Sequence, residues 1–271
     1  MLVTKVMFRL LLVCAISTSS YAVDSDPAAE SVAWYLADVE KRAEKPWKLV
    51  GGIGATVKQG NTDIVNVATN IQFNKQWETF LLKMGLQSIY TFEDDAETAS
   101  EHILTERIEK FIGQSHRLFQ SSWLETDSDE SLSYRFWVAL GYGKRFAKSK
   151  TFELWGDVGG GVEWEKYYGQ DGGEAGYVLF SIDWDWQVTE ALLYEQIFRW
   201  QQYFQDNGRY KVFIEARFSL PVSKHWTFMM LIRDEYNSDP NPPNVANDVT
   251  MILTLNFNFT GGAEGTPDSG A

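Results

Sequence analysis

Residues 248–259 (DVTMILTLNFNF) sort into two faces with a period of two. Val249, Met251, Leu253, Leu255, Phe257 and Phe259 fall on one side. Asp248, Thr250, Ile252, Thr254, Asn256 and Asn258 fall on the other, polar in five of six positions. A helix would mingle the two sets around its circumference, whereas a β-strand sends alternate side chains to opposite faces. This segment is a strand with one apolar and one polar face.

The same division recurs along the chain. Phe80, Leu82, Met84, Leu86, Tyr90 and Phe92 alternate with Thr79, Lys83, Gly85, Gln87 and Thr91. Leu132, Tyr134, Phe136, Val138, Leu140 and Tyr142 alternate with Ser131, Ser133, Arg135 and the small Ala139, Gly141 and Gly143. Val178 to Trp186 oppose Ser181, Asp183, Asp185 and Gln187; Tyr210 to Leu220 oppose Lys211, Glu215, Arg217 and Ser219. Twelve such segments follow: 47–58, 62–74, 79–92, 101–112, 115–125, 131–145, 151–166, 175–187, 191–204, 209–220, 224–236 and 248–259. The fourth and fifth are the least regular. In 101–112 either phase exposes charge, Glu106 and Lys110 on one face and Arg107 and Glu109 on the other, so a β-bulge is expected there.

A soluble sandwich also alternates. Two features favour lipid instead. The apolar faces are five or six residues long and end in aromatics, the pattern of a hydrophobic band ~25 Å tall with aromatic girdles. The opposite face carries too many charges for a sandwich core but suits a polar lumen. A basic residue facing lipid at mid-depth costs roughly 2–4 kcal/mol. Charged residues on the polar faces therefore point inward: Arg135, Glu153, Asp157, Asp183, Lys211, Glu215 and Arg217 are the lumen candidates. Lys83, Glu163, Asp185, Glu195, Arg199, Arg233 and Glu235 share their phase. The expectation is an all-β, antiparallel, up-and-down transmembrane barrel of about twelve strands. No apolar run after residue 22 reaches the ~18 residues of a spanning helix.

The connections divide in the way such a barrel requires, with short periplasmic turns and longer outer loops. The outer set is 60–61, 93–100, 126–130, 167–174, 205–208 and 237–247; the inner set is 74–78, 113–114, 146–150, 188–190 and 221–223. Acidic residues concentrate in the first. Lys75, Lys144, Arg145, Lys148, Lys150 and Lys224 lie in or beside the second.

The ends read differently. Lys5 and Arg9 precede the apolar stretch Leu10 to Ile16, and Ser20-Tyr21-Ala22 offers small residues for cleavage, so 1–22 reads as a secretory signal peptide. Residues 23–46 form an expected periplasmic segment, with a short helix over 28–45 ended by Pro46. The Gly-, Pro- and acid-containing tail 260–271 is expected to be disordered. Cleavage after Ala22 removes two of the 24 Lys+Arg and none of the 37 Asp+Glu, taking the formal net charge from −13 to −15. Such acidity argues against nucleic acid as a partner. The single cysteine, Cys14, lies in the signal, so the mature chain has no disulfide. The partners expected are outer-membrane lipid, lipopolysaccharide and the barrel-assembly machinery.

Trp47 through Gly54, followed by Lys58-Gln59-Gly60-Asn61-Thr62-Asp63, resembles the opening of the salt-induced outer membrane protein family, catalogued as domain of unknown function 481. Gly141-Tyr142-Gly143 and the strand Gly156 to Trp164 are similar to its middle region. The likeness spans about residues 47–259. Gln59 departs from the small residue usual before Gly-Asn-Thr, without altering a turn that Gly60-Asn61 can make. The resemblance implies an outer-membrane barrel, exported through the periplasm, and supplies no mechanism.

Catalysis finds little support. The three histidines, His102, His116 and His225, sit near strand ends or a turn, and strand phase is expected to enforce no Ser/His pairing. The acidic clusters Glu93-Asp94-Asp95 and Asp127-Ser128-Asp129-Glu130 lack dedicated Ca²⁺-loop spacing and read as solvated loops. No catalytic residue, metal site or cofactor is expected. The sequence points to a non-enzymatic barrel, either a structural or stress-response component or a narrow channel; an outer-membrane hydrolase acting on lipid or lipopolysaccharide is the alternative. Inward-facing Trp137 and Trp155 favour a narrow or closed lumen.

Overall fold

A computed structural model describes residues 47–59, 64–93, 96–204, 208–241 and 244–261. The signal peptide, the helix expected over 28–45 and residues 262–271 lie outside the described residues. The described residues form twelve antiparallel strands: β1 (Trp47–Gln59), β2 (Ile64–Gln76), β3 (Phe80–Glu93), β4 (Ala96–Ile112), β5 (His116–Asp127), β6 (Leu132–Lys148), β7 (Phe152–Tyr167), β8 (Gly173–Gln187), β9 (Leu193–Tyr203), β10 (Tyr210–Pro221), β11 (Trp226–Asn237) and β12 (Asn247–Gly261). Each pairs with its sequence neighbours, and β12 closes on β1 from Trp47↔Gly261 to Gln59↔Val249. Closure leaves no sheet edge, so every backbone hydrogen-bonding group in the wall has a partner strand, which hydrocarbon requires.

Burial follows the period-two pattern. Along β5 the odd residues Arg117, Phe119, Ser121, Trp123, Glu125 and Asp127 are buried, and the even ones are exposed or half-buried. In β12 the buried set is Thr250, Ile252, Thr254, Asn256 and Asn258. Polar residues are thus the enclosed ones. The outer surface is apolar: Leu140 is 65% and Ile53 64% exposed. A continuous exterior of this kind far exceeds the few hundred Å² of apolar patch found on soluble proteins and calls for lipid. Aromatic pairs lie toward both ends of the strands. Trp47 stacks on Phe73 and Trp226 meets Phe257 edge-on near the terminal end, while Phe136–Trp164 and Tyr210–Tyr236 stack toward the other.

Four sequence expectations change. No bulge interrupts 101–112, where β4 pairs continuously with both neighbours; the register shifts earlier, opposite Thr91/Phe92. Arg107 and Glu109 point inward. Glu106 faces out and accepts a hydrogen bond from the Ser122 hydroxyl at 3.1 Å, while Lys110 Nζ lies 5.6 Å over the Phe80 ring. The eight-residue loop expected at 93–100 is mostly strand, since β3 runs to Glu93 and β4 begins at Ala96. Leu132, assigned by phase to the outer face, is fully buried, because the β6–β7 register shifts between Leu132 and Tyr134. The last strand also runs to Gly261, two residues past the point where the tail was expected to begin.

Candidate functional site

The lumen is filled by side chains in layers. Nearest the terminal end, Arg117 is almost completely buried. Its Nε and Nη2 bind both oxygens of Asp157 (3.0 and 2.8 Å), Nη2 also meets Asp183 at 2.7 Å, and Nη1 reaches Glu109 at 3.2 Å. Arg107 ties the same two carboxylates, Glu109 and Asp157, at 2.7 Å each. The Arg117 guanidinium lies 4.4 Å from the Trp155 ring centre, and Arg145 pairs with Glu153 at 3.0 Å beside it. A fork donating two parallel N–H groups suits a carboxylate better than a point charge does. Two glycines on β6 make the room: a Cβ at Gly143 would collide with Asp157 and Arg117, and one at Gly141 with the Phe119 ring.

Toward the loop end, Arg135 binds Glu125 at 3.0 Å, and Glu125 also accepts from Trp123 Nε1 at 3.0 Å. Lys211 meets Glu163 at 2.7 Å, and Arg209 meets Glu165 at 2.7 Å. A third group at mid-height joins Arg233 and Arg217 to Glu215 at 3.2 and 2.8 Å, with Glu101 3.5 Å from Arg233 and Glu195 3.8 Å from Arg217.

Between these layers lies an aromatic knot. Trp123 and Trp137 stack 6.1 Å apart at 11°, and Phe213 sets its edge to Trp123 at 5.7 Å. The Arg199 guanidinium sits 4.8 Å from the Phe213 ring centre, 4.9 Å from Trp137 and 5.8 Å from Trp123. It makes no hydrogen bond or ion pair with any described residue, and three aromatic rings surround it. Two cavities meet at this knot. One, of about 80 Å³, opens toward the loop end beside Tyr236 and Asn244; the other, of about 210 Å³, lies toward the terminal end beside Asn74 and Lys83. Among the described residues, Trp123, Trp137, Arg199 and Phe213 line both.

Residues 51–259 match the model of a family described as a protein of unknown function, DUF481. The chain belongs to that family. Comparison with curated protein sequences finds no match. Among solved structures, the NanC porin superposes on this DUF481 barrel with a TM-score of 0.50 at 9% identity, covering 78% of this chain and 98% of the porin. The translocator domain of the autotransporter NalP from Neisseria meningitidis gives 0.47 at 9% identity, covering 85% and 93%. The KdgM porin gives 0.43 at 9%, covering 77% and 99%. The likeness is one of fold: this is a closed twelve-stranded barrel of the outer-membrane porin type.

All seven lumen candidates of the DUF481 barrel face inward, in separate layers. Asp157 and Asp183 share Arg117, Glu153 holds Arg145, and Arg135 and Lys211 belong to the layer near the loops; Glu215 and Arg217 pair directly. The sequence did not single out Arg117, the residue that joins three carboxylates. Leu118 and Phe119 follow it on opposite faces, so that stretch shows no apolar side. Glu125, Phe119 and Trp123 escaped for the same reason.

One pairing was missed as well. Ser88 and His102 stand opposite each other on β3 and β4, with His102 Nδ1 3.0 Å from Ser88 Oγ. A nucleophile needs access and an oriented base. Here Ser88 is buried at 7%, the His102 ring packs edge-on to Tyr90, and no described residue hydrogen-bonds the second ring nitrogen. His116 bonds the Tyr142 hydroxyl and His225 stacks on Phe257. Asp127, from one acidic cluster, accepts the Asp129 and Glu130 amides at 2.8 and 3.2 Å and so forms its turn. The other cluster, Glu93-Asp94-Asp95, lies partly outside the described residues. Among the described residues no group of three His, Cys, Asp or Glu is placed to hold a metal.

Proposed function

We propose that this barrel is a non-enzymatic outer-membrane channel of low conductance, pinched at mid-lumen by Trp123, Trp137, Arg199 and Phe213. The observation that carries the reading is the pair of cavities in line on either side of those four side chains. Twelve strands enclose more space than the eight that side chains fill. Here aromatics and ion pairs take up most of the surplus and leave a constriction rather than a bore. Outer-membrane lipid and lipopolysaccharide are its surroundings, reached through the periplasm and the barrel-assembly machinery. The excess of acids leaves nucleic acid outside its set of partners.

Planar-bilayer recording of the refolded chain tests this. Small, flickering conductance is expected from the wild type, rising several-fold in a Trp137→Ala, Phe213→Ala double variant that widens the knot. Silence from both proteins would contradict it and leave the structural reading, which the ion pairs spanning the lumen also favour. A salt-response role is part of the proposal. Ionic strength weakens partly solvated pairs such as Arg217–Glu195, both about a quarter exposed. Conductance should therefore rise more steeply than that of the bathing solution between about 0.1 and 1 M salt. Strict proportionality would remove that role.

A further inference from the structure

The larger cavity has an uneven lining. Five cationic residues of the inward-facing set border it, Lys83, Arg107, Arg199, Arg217 and Arg233, against two carboxylates, the inward Glu215 and Glu106 at the wall. The other carboxylates that pair with these arginines, namely Glu109, Asp157, Glu195, Glu101 and Glu235, are not among the lining residues. They stand behind their partners and leave the cationic side toward the space. Arg199 has no acidic partner of this kind.

Hydrogen-bonding capacity is also left over. Gln87 Nε2, Arg217 Nε and Arg233 Nη1 are buried donors without an acceptor, and all three residues border this cavity. The Arg233 side chain is only 5% exposed, and its Nη1 approaches Glu101 no closer than 3.5 Å. Asn70 Oδ1 is the one unmatched acceptor there; turning that amide over, which heavy-atom positions allow, presents a fourth donor. Buried donors left unpaired cost roughly 1–3 kcal/mol each, so a group that accepts from several at once is strongly favoured. Apolar side chains lie among these same arginines, Phe213 opposite Arg199 and Leu231 opposite Arg217 in the register, with Ile197 and Met229 on the same strands and the two tryptophans nearby.

We propose that this cavity binds a small organic anion, one carboxylate on a compact apolar body, with the carboxylate received by Arg199, Arg217, Arg233 and the Gln87 amide. A volume of about 210 Å³ holds roughly seven waters at ~30 Å³ each, or a solute of comparable bulk. Guanidinium forks accept a carboxylate in two parallel hydrogen bonds, and the aromatic knot covers the apolar part. The proposal names the solute class of the channel and rests on the channel reading for the solute's way in.

Calorimetric titration of the full barrel, refolded in detergent, tests the site without recording any current. Benzoate is the probe, and benzamide, its uncharged isostere, the control. Saturable benzoate binding is expected, at least ten-fold tighter than benzamide, and Arg199→Gln should weaken benzoate at least ten-fold while sparing benzamide. Gln87→Leu, which changes no charge, should weaken benzoate about three-fold and keeps the test open if the arginine variant does not fold. Equal affinity for the two probes, no binding of benzoate, or unchanged benzoate affinity in whichever variant folds would overturn the site. Conductance without benzoate binding defeats the site alone; benzoate binding in a barrel that never conducts defeats the channel reading and leaves the site standing.

Discussion

At the residue scale, two charges define what each face of the wall tolerates. Arg117 is enclosed, and three carboxylates from β4, β7 and β8 converge on it. Removing one partner of a buried network leaves the rest uncompensated, which typically costs ~3–5 kcal/mol. Arg117→Met should therefore lower the stability of the refolded barrel by about that amount, read from urea unfolding in lipid vesicles. A change under ~1 kcal/mol would show that the network is solvated rather than structural. Glu106 is the opposite case, an acid on the outer face whose carboxylate accepts from the Ser122 hydroxyl. An acid at that depth costs less than the ~2–4 kcal/mol of a basic residue, so Glu106→Leu should stabilise the barrel modestly, by about 1 kcal/mol. Marked destabilisation in the same unfolding measurement would mean that Glu106 does not face hydrocarbon.

At the element scale, depth rather than exposure should set the effect of a charge. Leu140 on β6 and Val222 in the β10–β11 turn are similarly exposed, 65% and 58%. Leu140→Arg is expected to cost ~2–4 kcal/mol, and Val222→Arg, beyond the strand end, ~0–1 kcal/mol. In water both changes would fall within about 0.5 kcal/mol, so equal small effects would count against burial in lipid. The strands were legible wherever one face stayed apolar throughout, as in β12, where Val249 to Phe259 set both the phase and the direction of the lumen. They were illegible where both faces carry charge. Glu106 and Arg107 gave β4 no preferred phase, and only its pairing with β3 and β5 decides it. Register shifts have no signature of period, so Leu132 read as lipid-facing when a bulge turns it in. The extent of β3 and β4 into 93–100 was hidden because barrel strands project past the bilayer as polar sequence that resembles a loop.

At the scale of the whole molecule, side chains far apart in sequence decide what the lumen does. Parity could assign Asp183 to the interior, but not its contact with Arg117, 66 residues away. Nor could parity show that Trp123, Trp137, Arg199 and Phe213, from four different strands, meet at one level. That meeting divides the interior into two cavities and narrows the lumen between them. The division between a lipid-facing exterior and this packed interior underlies every functional statement made of the chain. A nitroxide scan of Met251 to Asn256 on β12, one cysteine at a time in lipid vesicles, probes that division directly. Collisions with dissolved oxygen, which concentrates in hydrocarbon, should be frequent at 251, 253 and 255 and rare at 252, 254 and 256. Uniform accessibility, or maxima at the even positions, would contradict the account.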